Sequence, residues 1–259
     1  MPAPDGVTRG AMPADDATGL SLLYHLNSEP WLDAEAYEEA AHPGTPLHVD
    51  DAPRRGLPAP VESPLGRLLS ARRSCRSFAP RSMALEALGE LLAAAAGVTE
   101  RATISEGIGF LRRGAPSAGG RFPLDTYAFI RDVEGLADGI HRYDPLAHDL
   151  SEIARADVAT VLRGMLYAYP FVHGANAVVA FVATFARTQD KYGPRGYRYI
   201  LLEAGHCAQS LCLRATELEV ATLCIGGFAD GEVNRVLALD PREAGVVYMV
   251  AAGYAAAGG

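Results

Sequence analysis

The feature that most constrains this fold is a stripe of leucine and alanine running from Leu201 to Leu218. The two residue types recur there at alternating spacings of three and four. That spacing places the side chains on one face of a helix of about six turns. A long helix with small residues on one face suits the centre of a domain or a dimer interface. We therefore predict a long central helix that begins near Arg195.

Shorter segments around this helix predict an α+β architecture. The chain should form a mixed or antiparallel sheet flanked by helices. Ser63 and Pro64 begin one predicted helix, and Ser82 caps a second helix that Gly97 closes. The predicted strands lie at 125–131, 139–144, 177–184, 222–228 and 245–253, and a short helix is predicted at 230–239.

Proline separates an N-terminal arm from a body. Ten of the 17 prolines precede residue 65, and such stretches sustain neither helix nor strand. We predict an arm over residues 1–60, with 1–15 disordered and an apolar patch near 18–41 forming short helices. The body is predicted to span residues 61–259.

Composition limits the class of protein. Apolar residues make up 49% of the chain and the net charge is −8, which excludes wholesale disorder and argues against nucleic acid as the main partner. No apolar run approaches a membrane span, and no secretory signal is visible. We therefore expect a soluble, cytoplasmic protein without a membrane partner. The four cysteines form no C-x-x-C pair, so reduced thiols are expected rather than a metal site.

Lys191 is the only lysine among 23 basic residues. A position that keeps lysine where arginine serves elsewhere is a place to look for amine chemistry, because arginine does not deprotonate usefully. On composition alone, a lysine retained by chance is the better explanation.

Three polar or glycine-rich clusters suggest chemistry. Arginines and a serine at 72–78 suit a phosphate, although an exposed basic helix end explains them better when they are taken alone. Glycines at 113–120 let a flat ligand approach the backbone, and glycines at 225–228 expose N–H groups at a strand end. Either segment is, by itself, an ordinary turn. Glu203 and His206, one turn apart, are better explained as a buried pair or helix contact than as metal ligands.

In this order, the segments resemble the FMN-dependent nitroreductase superfamily, and more closely its SagB/McbC-type branch, the azoline dehydrogenases. The resemblance runs from about Tyr24 to Gly253. It is carried by Tyr24-His25, RRSxRxF at 72–78, APSAGG at 115–120, GIHRYD at 139–144, KYGxRGYRY at 191–199, EAGHxAQ at 203–209 and IGGF at 225–228.

The resemblance implies an FMN site shared across a homodimer. Arg72 and Ser74 would hold the phosphate and ribityl chain with Arg73 close by, and Arg76 would lie near the flavin N1–C2=O edge. The N–H of Gly227 or of Gly226 would point at N5. The loop expected along the isoalloxazine, supplied by the other subunit, comprises Pro116, Ser117, Ala118 and Gly119.

Two departures from the family pattern concern this FMN site. Plain nitroreductases usually carry Glu where Gly226 stands, and they carry a basic residue near the C-terminus for the phosphate. Nothing basic follows Arg242, so Arg113 or Arg121 is expected to substitute.

Lys191 and Tyr192 match the pair implicated in catalysis by azoline dehydrogenases. Forming an azole from a thiazoline or oxazoline removes a proton from one ring carbon and a hydride from its neighbour. FMN would accept the hydride, and a partly desolvated Lys191 would take the proton, with Tyr192 orienting or relaying it. The two roles are exchangeable. A solvated loop cation and a packing tyrosine are the structural alternatives.

The expected function is therefore oxidation of azoline rings in ribosomal or nonribosomal peptide biosynthesis. The expected partners are an azoline-containing peptide or carrier-bound intermediate, and a cyclodehydratase or synthetase. Dioxygen is the favoured electron acceptor because no G-x-G-x-x-G fingerprint is present. The alternatives are an NAD(P)H-dependent nitro- or quinone reductase, and a flavin-binding scaffold without catalysis.

Overall fold

A computed structural model describes residues 54–105 and 108–257, together with Gly19, 21–25 and Ser28. For residues 102–105 and 108–110 it describes the backbone only. Residues 21–25 are helical. The predictions for residues 1–15 and for the rest of the patch at 18–41 lie outside the described part. The boundary between arm and body stays a prediction.

Helices and strands alternate irregularly along the body. The helices are α1 (Pro64–Ala71), α2 (Leu85–Ala96), α3 (Val158–Met165), α4 (Ala186–Tyr192), α5 (Arg195–Glu217) and α6 (Asp230–Leu237). The strands are β1 (Val98–Ser105), β2 (Ile108–Arg113), β3 (Leu124–Ile130), β4 (Gly139–Asp144), β5 (Asp149–Arg155), β6 (Ala177–Thr184), β7 (Ala221–Ile225) and β8 (Ala244–Gly253). Short 3₁₀ turns lie at Ala118–Gly120 and Pro170–Gly174.

Six strands form one sheet in the order β5-β4-β3-β6-β8-β7, and every pairing is antiparallel. The apolar β6 lies inside this sheet and is buried along nearly its whole length. Residues of α2 and α5 pack in the core on one face, and residues of α3 and α6 pack in the core on the other. The α+β prediction with a sheet flanked by helices is confirmed. No helix in the described ranges is long and apolar enough to cross a membrane.

The long central helix is confirmed as α5, which has 23 residues. Its buried face carries Ala204, Ala208, Leu211 and Ala215 of the predicted stripe. At the N-terminal end the prediction is wrong by one position, because Ile200 is fully buried whereas Leu201 is 37% exposed. Helix α5 packs against α2 and against β8, at the centre of the body.

Other local predictions were wrong. Ser82 does not cap α2, because Ala84 precedes the first turn and the Ser82 hydroxyl instead bonds to Asp132 at 2.5 Å. The β1–β2 hairpin, β5 and α3 were not predicted. Strand β5 is an edge strand and largely exposed, so it shows no clear apolar alternation.

Candidate functional site

The first basic cluster lies beside the start of β7, an edge strand of the sheet. The Ser63 side chain caps α1 by accepting from the N–H of Gly66 at 3.0 Å, and the helix ends at Ala71. The chain then extends the sheet edge, since Ser74 forms a bridge with Thr222 and the Cys75 N–H donates to the Thr222 carbonyl at 2.9 Å. Residues 72–76 and the glycines that follow Ile225 are thereby brought to one edge of the sheet.

The three arginines of this cluster differ in their contacts. The Arg73 guanidinium bonds to the carbonyls of Ser70 and Arg72 at 2.6 and 2.8 Å, so it closes the C-terminal end of α1. Arg72 is half-buried and Arg76 is exposed. Neither guanidinium has a hydrogen-bond or ion-pair partner among the described residues. Arg72 and Arg76 are therefore the better anion-binding groups, and Arg73 the poorer one.

Gly226 and Gly227 follow β7 at the same edge. The β7–β8 ladder ends at Ile225, and in the described ranges neither glycine N–H donates to a main-chain carbonyl. A Cβ at Gly226 would meet only the Tyr248 ring, at 3.7 Å, which is ordinary contact. Packing therefore does not require glycine there, and both N–H groups are free to bind a ligand.

A small apolar cavity of about 200 Å³ adjoins Gly227. Its remaining wall comes from the end of α3, the turn after it and the residue after Gly227. The lining residues are Met165, Leu166, Tyr167, Ala168, Tyr169 and Phe228. Aromatic and aliphatic groups next to unpaired N–H donors can hold a flat ligand in one orientation.

The glycine-rich loop between β2 and β3 has an unusual backbone. Gly119, Gly120 and Phe122 have φ values of 61°, 62° and 45°, in the left-handed region. The Phe122 N–H donates to Ser117 Oγ at 2.9 Å, and the Arg113 guanidinium lies 4.6 Å from the centre of the Phe122 ring. A non-glycine residue at positive φ is costly, so these contacts must hold the loop in place.

Lys191 and Tyr192 end α4 and meet this loop. A Cβ at Gly119 would lie 2.5 Å from Tyr192 Oη and 2.9 Å from Lys191 Nζ, so the tips of both side chains cover that glycine. The Tyr192 ring packs edge-on against Tyr199, with 5.1 Å between ring centres. Lys191 is exposed in this single chain, so the described residues do not supply the predicted desolvation.

The predicted site residues thus fall into two groups. One comprises residues 72–76 with Gly226 and Gly227, and the other comprises residues 116–119 with Lys191 and Tyr192. No hydrogen bond, ion pair or ring contact between described residues joins the two groups.

Two charged residues lie beneath the loop: Glu203, which was not predicted as part of the site, and Arg113, which was expected to help bind the phosphate. Glu203 is 4% exposed on α5, and the Ser117 hydroxyl lies near enough to its carboxyl group to influence the pKa. Burial raises the pKa of Glu203 to about 7, although Ser117 and the nearby Arg113 oppose that shift. Glu203 is buried, as predicted, but the groups near its carboxyl are Ser117 and Arg113 and not His206. The sequence signal that was not used is a lone carboxylate on the apolar face of the helix.

Two histidines of the described part, His25 and His141, make structural contacts. His25 is 5% exposed and packs against Phe185 and Tyr197, whose hydroxyl lies 3.0 Å from His25 Nδ1. His25 therefore fastens residues 21–25 to the body. His141 Nε2 lies 3.1 Å from the Ala137 carbonyl. The described residues contain no cluster of three or more metal-ligating side chains.

All four cysteines are free. Cys212 on α5 and Cys224 on β7 lie with their sulfur atoms 3.6 Å apart.

Residues 69–254 match the model of the nitroreductase family, and the chain belongs to that family. A Methanocaldococcus jannaschii protein named as a nitroreductase is 35% identical over 181 residues, covering 70% of this chain and 87% of that protein. The microcin B17-processing protein McbC of Escherichia coli is 25% identical over 139 residues, covering 52% of this chain and 51% of McbC.

A solved structure shares the fold over almost the whole chain. The E. coli microcin synthetase McbBCD complex with truncated pro-MccB17 bound contains a chain that superimposes with a TM-score of 0.69. The match covers 93% of this chain and 94% of that chain, at 18% identity. Members of the nitroreductase family bind flavin. The family match and this superposition agree with the predicted nitroreductase-like fold.

Proposed function

We propose that this protein is an FMN-dependent dehydrogenase that oxidises thiazoline or oxazoline rings to thiazoles or oxazoles. The observation that carries the proposal is the meeting of Lys191 and Tyr192 with Gly119. A potential proton acceptor and its neighbour lie against the loop that resembles the flavin-covering loop of azoline dehydrogenases. The sequence similarity to McbC supports the same branch.

The residues at the sheet edge fit FMN. Arg72 and Arg76 carry charges without partners among the described residues, and Gly226 and Gly227 offer N–H groups beside an apolar cavity. Arg72 and Ser74 would hold the phosphate and ribityl chain, and Arg76 the pyrimidine edge. When bound, FMN supplies an acceptor for a hydride. The protein's own residues have to orient the azoline ring and remove its proton.

Proton removal falls to the Lys191–Tyr192 pair. Both side-chain tips lie together over Gly119, so a ring placed on that loop is within reach of either group. A neutral lysine amine would accept the proton directly, while the Tyr192 hydroxyl would orient or relay it. The two roles are exchangeable, and Lys191→Arg separates the two cases.

We expect Arg72→Ala to weaken FMN binding by about ten- to a hundredfold, since a hydrogen bond to a charged group contributes about 1.5–3 kcal/mol. Arg73→Ala is the matched control, because that guanidinium is occupied by main-chain carbonyls. Flavin titration of the two apoproteins measures the difference. Recovery of Arg72→Ala activity with excess FMN would confirm a binding role, while equal FMN affinity in the two variants would contradict the assignment of Arg72.

We also propose a homodimer in which each site takes residues 72–76 from one subunit and the Lys191–Tyr192 pair from the other. Lys191→Arg and Arg72→Ala variants, co-expressed with different tags, should then restore activity. Each mixed dimer contains one site with both substitutions and one with neither. With random pairing, about a quarter of the wild-type sites return. No recovery in purified mixed dimers would show that each site lies within one subunit.

Reduction of nitro compounds or quinones by NAD(P)H is the second candidate, favoured by the 35% identity to the M. jannaschii protein. Gly226 counts against it, because plain nitroreductases usually carry Glu at that position. Steady-state assays with a nitroaromatic compound and NAD(P)H decide the matter. High turnover there, without azole formation, would replace the first proposal.

A further inference from the structure

A buried carboxyl group supports the loop that Lys191 and Tyr192 cover. Glu203 lies on the buried face of α5, in the turn between Ile200 and Cys207. Its carboxyl group lies near the Ser117 hydroxyl, which opposes the rise of its pKa, and Ser117 Oγ accepts from the Phe122 N–H at 2.9 Å. The chain of contacts therefore runs from the central helix to the strained residue of the loop.

Arg113 supports the same loop from the end of β2. Its guanidinium lies over the Phe122 ring, and its buried Nε has no hydrogen-bond partner among the described residues. Glu203 thus acts on the loop through Ser117, and Arg113 acts on it through Phe122. Both contacts converge on the segment that holds Gly119 against the Lys–Tyr pair.

We propose that Glu203 and Arg113 are positioning residues that clamp the 116–122 loop, and that ionisation of Glu203 loosens the clamp. The clamp itself is a property of the folded chain, while its effect on catalysis rests on the proposed function. Neither residue touches the reacting atoms in this scheme. They act by fixing where Gly119, and hence the catalytic pair, lies.

The direction of the pH effect follows from burial. Burial is the largest influence on the pKa of Glu203 and raises it to about 7 from an ordinary 4.5. Burial therefore destabilises the ionised carboxylate more than Ser117 and Arg113 stabilise it. Opening the loop hydrates the carboxyl group and returns its pKa toward the ordinary value. By linkage, the closed loop is favoured at low pH and weakens as pH rises from about 4.5 to 7.

The neighbouring Cys207 thiol and Tyr143 hydroxyl do not account for a change in that pH range. Burial raises the pKa of the Cys207 thiol to about 12, so it stays protonated, and burial likewise raises the pKa of the Tyr143 hydroxyl. The charged and titratable groups around the clamp are Arg113 on β2, Asp125 on β3, Tyr143 on β4, Arg187 and Lys191 on α4, Tyr192 at its end, and Cys207 on α5.

Hydrogen exchange of the loop amides tests the proposal without substrate. The full chain, as purified with its flavin, is exchanged at pH 5.5 and 7.5, and rates are corrected for intrinsic exchange. We expect protection of the 117–122 amides to fall about tenfold at the higher pH. Glu203→Gln should abolish this difference and keep the low-pH level of protection, because glutamine mimics the protonated acid.

Glu217→Gln is the matched control, since it makes the same change at an exposed position of α5. Ser117→Ala, at the loop end of the contact, should lower protection at both pH values. Equal protection of the wild-type loop at both pH values, or an unchanged pH dependence in Glu203→Gln, would overturn the proposal. Because the experiment involves no azoline, it can succeed or fail independently of the proposed reaction.

Discussion

Replacing Lys191 with arginine is expected to slow azole formation by at least about a hundredfold while FMN stays bound. Arginine keeps the positive charge and the reach of the side chain, so a role as a cation survives the change. A proton acceptor does not survive, because guanidinium stays protonated at any working pH. Loss of a general base costs about 10²–10⁴-fold in rate. Single-turnover measurements with an azoline peptide give the chemical step directly.

Asp190→Asn is the control for this substitution, because it changes the adjacent, exposed residue on the same helix. It should leave the rate and the flavin spectrum unchanged. Near-normal turnover by Lys191→Arg would transfer the role of base to Tyr192, and Tyr192→Phe would then be the variant that loses the reaction. Azole formation that persists in a Lys191→Ala, Tyr192→Ala double variant would favour the non-catalytic scaffold.

Gly119→Ala should lower the rate by about ten- to a hundredfold. The new methyl group would lie 2.5 Å from Tyr192 Oη and 2.9 Å from Lys191 Nζ. Both atoms end flexible side chains, so we expect the protein to fold and the pair to move aside. A displacement of about 1 Å can cost 10²-fold when a reacting group has to be held in position.

Gly120→Ala provides a closely matched control. Its φ of 62° nearly equals the 61° of Gly119, but a Cβ there would meet nothing within 4 Å. Both variants therefore lose about 1–2 kcal/mol of stability from the left-handed backbone, and only Gly119→Ala disturbs the Lys–Tyr pair. Equal rates in the two variants would show that contact with Gly119 does not position the pair.

The elements with strong periodicity were predictable from the sequence. The stripe of α5 and the apolar run of β6 are buried in the body, where the hydrophobic pattern determines the structure. The β1–β2 hairpin and β5 carry many polar residues, so no alternation marked them as strands. The Ser82 cap failed because a tertiary contact with Asp132 takes its hydroxyl.

The residue types of the candidate site were predictable, but their grouping was not. Gly119 and Lys191 lie far apart in sequence, and only the fold places them in contact. The same holds for Glu203, whose partner Ser117 belongs to a loop on another part of the chain. Sequence patterns report which face of an element is buried, whereas contacts between distant polar residues depend on how the elements pack.

The most direct test of the proposed activity is mass spectrometry of an azoline-containing peptide incubated in air with the purified, FMN-loaded protein. We expect a product lighter by the mass of two hydrogen atoms, with an azole absorbance and consumption of dioxygen. Lys191→Arg serves as the negative control within the same experiment. Unchanged azoline peptides of several sequences, together with rapid oxidation of NAD(P)H, would contradict the account.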